Sequence, residues 1–391
     1  MKNIFYTLLM IVFTLLGAEL VLRLFIDLPD PYQHLRVKSY STGEVIRLQN
    51  TRNTDVAFVF NPNELFPEDE KNIVKIHINN QGFRHQDDVD TSRNEISIFA
   101  IGGSTTQGYD YAFEKTWCQV LEKNLEEKTG QAINVYNGGT AGAAMFDHIA
   151  LLQNRVIHLK PDMVILFAGV NDLNLLVGDD NIFRFDDVYE EVEAVSWYKL
   201  GLARFTLYKL FLNAKRKLKS DEEHPLKRDS DEEDTGIAPG TPVQFADHLA
   251  APLATQKLPM AEGPEINFAY YRKMVKSFFA TCQINDIPVI VMTQPTTWES
   301  GDQILQKYHW MNKNKESRFP KDFMQNSMDK MNADVHQIAM EENVPCFRLE
   351  NEIPNTGEYF YDDCHFTPKG SVFVGEALTK FFIDNNLINL N

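Results

Sequence analysis

The chain has 391 residues, 43% hydrophobic and 24% charged, a composition that excludes overall disorder and allows a full core. A formal net charge of -17 disfavours nucleic acid and anionic lipid headgroups as partners, since both repel a negative surface that lacks a local basic patch. The only dense basic run, Lys215 to Lys219, leads directly into acidic residues.

Lys2 precedes fifteen uncharged residues, Ile4 to Ala18, and an apolar continuation broken by Glu19 and Arg23. A bilayer core takes about 20 apolar residues and a secretory h-region about 7 to 15, so length leaves anchor and cleaved signal both open. Glu19 and Arg23 stand four apart and can neutralise one another on a helix. Leu16-Gly17-Ala18 places leucine where a signal cleavage site takes a small residue. An uncleaved membrane anchor over residues 1–27 is therefore expected. Lys2 before the run puts the N-terminus on the cytoplasmic side and the body on the exported side.

Residues 28–92 read as a polar extension packed on the main domain, with a β element in "KIHINNQGFRHQ" whose Asn-Gln-Gly supplies a turn. From Glu95 the order is regular. "EISIFAIGG" is a short apolar strand, and Trp117, Val120, Leu121 and Leu125 share a helix face that Gly130 ends. "INVYNGG" is a second strand. Met145, Ile149, Leu152, Val156 and Leu159 then recur at helical spacing up to Pro161, before a third strand, "MVILFAG". Alternating strands and helices imply parallel pairing through right-handed crossovers.

Residues 175–265 read as an insertion, with helix-like aromatic stretches to about 213 and a solvated, partly disordered loop over 215–262. The pattern resumes with the helix "NFAYYRKMVKSFFATCQIND", the strand "IPVIVMTQP", a helix near 320–341, the strand "VPCFRLE" and a helix from about Gly370 to Asp384. Residues 93–391 thus form one α/β domain with five parallel strands.

Ligands of such a sheet bind beyond the C-terminal strand ends, where this chain places "GGSTTQG", "NGGTAG", "GVND" and "YDDCHFTPKG". Gly102 and Gly103 allow a tight turn that presents Ser104. No phosphate-loop lysine follows them. A serine hydroxyl needs a base within reach and a third group to orient that base. His365 is the candidate base; Asp362, three residues earlier, suits Nδ1, with Asp363 as the competing carboxylate. The backbone N–H groups of Ser104 and Gly142 and the Asn171 side-chain amide are candidate oxyanion donors. Gly142 and Asn171 could equally be a helix-start turn and a helix cap. Cys118, Cys282, Cys346 and Cys364 form no C-x-x-C zinc pair, and buried free thiols are their expected state.

In this order the four blocks resemble the SGNH (GDSL-type) hydrolase family over residues 95–172 and 355–380. The resemblance implies a flavodoxin-like three-layer α/β/α fold and acyl-ester hydrolysis or transfer without metal or organic cofactor. It implies Ser104 as nucleophile, Gly142 and Asn171 as oxyanion donors, and Asp362 with His365 as the Asp-x-x-His pair. Gly103 stands where the family's name has aspartate. With the N-terminal helix, "INNQGFR" and "GGSTTQG", the chain also resembles membrane-tethered bacterial members. The expected activity is that of a serine esterase on small acyl groups, acetyl above all, of envelope glycans. An O-acyltransferase with the same triad, or a non-catalytic binding module, are the alternatives.

Overall fold

The computed structural model describes residues 2–25, 49–61, 63–66, 73–92, 95–178, 202, 205–212 and 243–388. The chain divides into two units: residues 1–44 with 184–233, and residues 45–183 with 234–391. In the smaller unit the N-terminal apolar run forms helix α1 (Lys2–Phe25). Among the described residues no helix is long and apolar enough to cross a membrane, so the expected spanning anchor is not supported. Glu19 interrupts the apolar run and is buried. Its carboxylate accepts from the backbone N–H of Thr206 (2.7 Å) and Leu207 (3.0 Å) and from Arg23 Nε (2.8 Å). Glu19 thus caps a short helix over 206–212, where an anion satisfies otherwise orphaned N–H groups.

In the larger unit, β1 (Thr54–Asn61) pairs antiparallel with β2 (Ile73–Ile78). The main sheet consists of β3 (Ile96–Gly102), β4 (Ile133–Asn137), β5 (Met163–Phe167), β7 (Val289–Met292) and β8 (Cys346–Phe347), in the order β4-β3-β5-β7-β8. Every pair in it is parallel. All five strands stand where the apolar runs predict them, in the strand order of flavodoxin-like sheets. The remaining strand, β6 (Val243–Asp247), runs parallel to β1 and completes a second sheet, β2-β1-β6.

The helices of this unit are α2 (Ser104–Gln107), α3 (Trp117–Thr129), α4 (Met145–Asn154), α5 (Val170–Leu176), α6 (Ala250–Gln256), α7 (Ala269–Ile284), α8 (Lys321–Glu341) and α9 (Pro368–Asp384). Because successive strand residues point to opposite faces, the sheet feeds two cores. Phe99, Ile101, Val164, Leu166 and Val291 pack with α4, α5, α7 and α8. Ile98, Ala100, Ile165, Phe167, Ile290 and Met292 pack with α3 and α9. This is the expected three-layer arrangement, with strands apolar on both sides because both sides are covered.

Two local expectations are corrected. The helix read from Met145 to Leu159 stops at Asn154 and resumes as a 3-10 turn over Val156–Leu159. Arg155 between them is buried and turns out of helical geometry at φ −139°, with its guanidinium on the Gln81 carbonyl at 2.9 Å. The loop read over 215–262 contains β6 and α6 at its C-terminal end. A five-residue strand on the edge of β1 depends on a partner nearly two hundred positions away, which local pattern does not reveal. The part over 213–242 lies outside the described residues.

Candidate active site

β3 ends at Gly102, and the chain turns at Gly103 into α2, whose first residue is Ser104. A Cβ on Gly102 would collide with Thr106 Oγ1 and stand 2.6 Å from the Phe167 carbonyl oxygen. A Cβ on Gly103 would stand 2.8 Å from Asn171 Nδ2. The two glycines therefore let the β3 turn press against β5 and against the amide of Asn171.

The last loop closes as a narrow turn, in which the Tyr361 N–H donates to the His365 carbonyl at 3.0 Å and Phe360 pairs with Phe366. Within it Asp362 Oδ1 accepts from the backbone N–H of Cys364 (3.0 Å) and of His365 (2.8 Å). The same carboxylate receives His365 Nδ1 at 2.8 and 2.9 Å. His365 Nε2 lies 2.7 Å from Ser104 Oγ, so residues 261 positions apart in the chain meet. Trp310 adds a donor, Nε1 to Asp362 Oδ2 at 2.9 Å.

The electrostatics agree with this geometry. Burial opposes charge on Asp362, but His365, its hydrogen bonds and Trp310 outweigh burial and hold the carboxyl well below the usual range. Burial likewise opposes charge on His365, and the Asp362 carboxylate reverses it, raising the imidazole well above its usual value.

The choice between Asp362 and Asp363 falls to Asp362. Asp363 faces away from the imidazole and accepts from Trp298 Nε1 (2.5 Å) and the backbone N–H of Trp310 (2.6 Å) and Met311 (3.2 Å). It anchors the segment that carries Trp310. Burial, with Asp362 alongside, pushes its carboxyl up to about 7.

The expected oxyanion donors lie along the same crevice. Gly142 has φ +73°, and a Cβ there would meet no protein atom within 4 Å. Backbone conformation, not crowding by the protein, therefore calls for glycine. Among the described residues the N–H groups of Ser104 and Gly142 have no acceptor. Asn171 Nδ2 donates one hydrogen to the Ala143 carbonyl at 2.9 Å, and an amide nitrogen carries a second. The next residue, Asp172, is buried and accepts from the Met145 N–H at 2.9 Å, tying the β5 loop to the β4 loop. Sequence reading missed Asp172 and Trp310. Asp172 follows Asn171 directly in "GVND", whereas nothing local marks Trp310.

Asp362, Cys364 and His365 also place potential metal-ligating atoms within 4.8 Å of one another. They do not fit a cation. The carboxylate is filled by N–H donors, and burial pushes the Cys364 thiol up to about 11, away from the thiolate a metal takes. The four cysteines are free thiols.

Residues 100–216 match the family model of the GDSL-like lipases/acylhydrolases. Over that segment the chain is similar to the GDSL-like lipases/acylhydrolases, the SGNH family. An arylesterase from Vibrio mimicus is 31% identical over 81 residues, covering 21% of this chain and 40% of that relative, less than half its length. Among solved structures, a lipase/acylhydrolase from Enterococcus faecalis aligns with 76% of this chain and 98% of its own, at 14% identity and a TM-score of 0.40. An acetylxylan esterase from Geobacillus stearothermophilus aligns with 74% and 94%, also at 14% identity and 0.40. The matched segment holds Ser104, Gly142 and Asn171, while Asp362 and His365 lie beyond it.

Proposed function

We propose that the chain is a serine O-acyl esterase working through an acyl-enzyme. Ser104 Oγ attacks the acyl carbon while His365 Nε2 takes its proton, and Asp362 holds the imidazole and stabilises the imidazolium. The oxyanion lies against the N–H groups of Ser104 and Gly142 and the free N–H of Asn171. His365 then protonates the leaving alcohol, and water, activated by the same imidazole, cleaves the acyl-enzyme. The observation that carries this reading is the 2.7 Å contact between Ser104 Oγ and His365 Nε2, with Asp362 on Nδ1.

In this reading the acyl group is small, acetyl above all, and the alcohol belongs to an envelope glycan. The half-buried Trp310 ring, parallel to the imidazole at 6.5 Å between centroids, supports it by offering an aromatic surface of the kind that sugar rings pack on. The test compares p-nitrophenyl acetate, butyrate and octanoate with an O-acetylated polysaccharide. Release of acetate from the polysaccharide that Ser104→Ala abolishes supports the proposal. Equal turnover by wild type and Ser104→Ala sinks it. Transfer shows as acyl product diverted to an added sugar acceptor.

Localisation is a second part of the proposal: the body is exported and the N-terminal helix holds the protein at a membrane surface. Tyr6, Met10, Phe13, Leu20 and Leu24 of α1 are exposed, an apolar surface of the kind that lipid would cover. Flotation of the full chain with phosphatidylcholine vesicles, lost on Met10→Asp with Phe13→Asp, is the expected result. Flotation that those changes leave intact refutes it.

A further inference from the structure

The segment that begins with the nucleophile ends six residues later in a half-buried carboxylate outside the triad. Asp110 Oδ2 accepts from the Tyr361 hydroxyl at 2.6 Å. Its Oδ1 lies 3.1 Å from His248 Nε2, at ion-pair distance though off the hydrogen-bonding line. The Tyr361 ring stacks on the His365 imidazole, with centroids 5.6 Å apart and planes 11° from parallel. A closed circuit results: Ser104 through its own loop to Asp110, by hydrogen bond to Tyr361, by ring contact to His365, and back to Ser104.

The circuit is braced from beneath. Arg84, buried at 1% exposure, donates to the carbonyls of Gln107 (3.0 Å), Gly108 and Tyr111 (2.7 Å). Its guanidinium thus clamps the loop that joins Ser104 to Asp110. His248 follows β6 directly and packs its ring on Phe66 and Tyr361, so the end of the insertion closes on the same carboxylate. None of these residues reaches the reacting atoms, and the esterase mechanism above uses none of them.

We propose that Asp110 and Tyr361 are positioning residues for His365, a second carboxylate acting through a stacked phenol to fix the imidazole and favour its protonated form. The proposal rests on the esterase reading of Ser104 and His365. Asp110 is itself held below the usual carboxylate range: burial opposes this, and His248, Tyr361 and His365 overcome it. The charged and titratable groups around His365 are Asp362, Asp363 and Cys364 on its own loop, and Tyr361 and Asp110 beneath its ring. Beyond these, His248, Arg84 and Tyr111 face Asp110, His309 faces Asp362, and Lys321 faces Asp363. Of these, Asp110 is the carboxylate outside the 362–365 turn that acts on His365.

The experiment uses the full chain and Asp110→Asn and Tyr361→Phe. Turnover of p-nitrophenyl acetate is followed across pH, and His365 ring titration is followed by NMR in a Ser104→Ala background. Tyr361→Phe keeps the ring and removes the hydroxyl. It is expected to lower kcat ~3- to 10-fold with KM within about twofold, the signature of a displaced base. Asp110→Asn is expected to move the acid limb of kcat/KM, and the His365 titration, down by on the order of half a unit, because a neighbouring anion has been removed. Should Asp110→Asn fail to fold, the loss of kcat at nearly constant KM in Tyr361→Phe reads the same positioning. Folded variants with wild-type kcat and unshifted titrations overturn the proposal. Loss of the esterase reading is a separate outcome: fluorophosphonate that fails to label Ser104 in the wild type, whatever the His365 titration does.

Discussion

Asp172→Asn is expected to stabilise the protein, and to do so more at pH 8 than at pH 5. Asp172 is 0% exposed; Oδ1 has the Met145 N–H, and Oδ2 has no partner among the described residues. Burial, with Asp147 adding, pushes the carboxyl up to about 7 despite the bond from Met145. The folded state thus holds the Asp172 proton more tightly than the unfolded chain, whose value is about 3.9. The stabilisation this gives is fully present below about pH 3.9 and is lost as pH rises toward 7. A shift of about three units corresponds to ~4 kcal/mol in full, and the part falling between pH 5 and pH 8 is on the order of 3 kcal/mol. Asparagine keeps an oxygen for Met145 and carries no charge at any pH. Urea unfolding of both proteins at pH 5, 6, 7 and 8 measures the difference, and other titrating groups, Asp363 among them, cancel in it. A stability difference that stays constant from pH 5 to pH 8 would show that Asp172 ionises in the fold without cost, refuting the reasoning.

Asn171→Ala should lower kcat for p-nitrophenyl acetate by ~10²- to 10³-fold through loss of one oxyanion donor, while fluorophosphonate still labels Ser104 in mass spectra of the intact protein. The acid limb of kcat/KM should lie above the ordinary histidine value of about 6.5, since Asp362 raises His365. Asp362→Asn should bring it down and cut kcat by orders of magnitude. Gly142→Ala puts a side chain at φ +73°, a strain of about 1 to 3 kcal/mol, and should reduce both the thermal midpoint and kcat. Trp310→Phe keeps an aromatic ring but removes the donor to Asp362, and should reduce kcat with little change in thermal midpoint.

The five main strands were legible because each is a short apolar run covered on both faces. The chemistry was legible because strand-end loops carry polar residues that local packing does not require. Ser104, Asp362 and His365 could be named as candidates from hydroxyl, base and carboxylate chemistry with a three-residue spacing, and the structure brings their side chains together. Tyr361 and Asp110 were not, although Tyr361 opens one quoted motif and Asp110 stands two residues beyond another. A tyrosine and an aspartate in a loop have many uses, and only their 2.6 Å contact distinguishes this one. The strand β6 escaped for a related reason, since its partner β1 lies across a long insertion.

What the sequence determined by itself was therefore a matter of period and type: alternate burial of strands, helical faces, and four loops bearing candidates for a nucleophile, a base, an acid and donors. What only the tertiary structure decided was a matter of distance. It separated Asp362 from its neighbour Asp363, gave Gly142 its reason in backbone conformation, and seated Trp310 and Tyr361 beside the imidazole. Periodicity is local and can be read along a chain. Hydrogen bonds, ring stacking and desolvation act across a few ångströms, between groups whose separation in sequence says nothing of their separation in space.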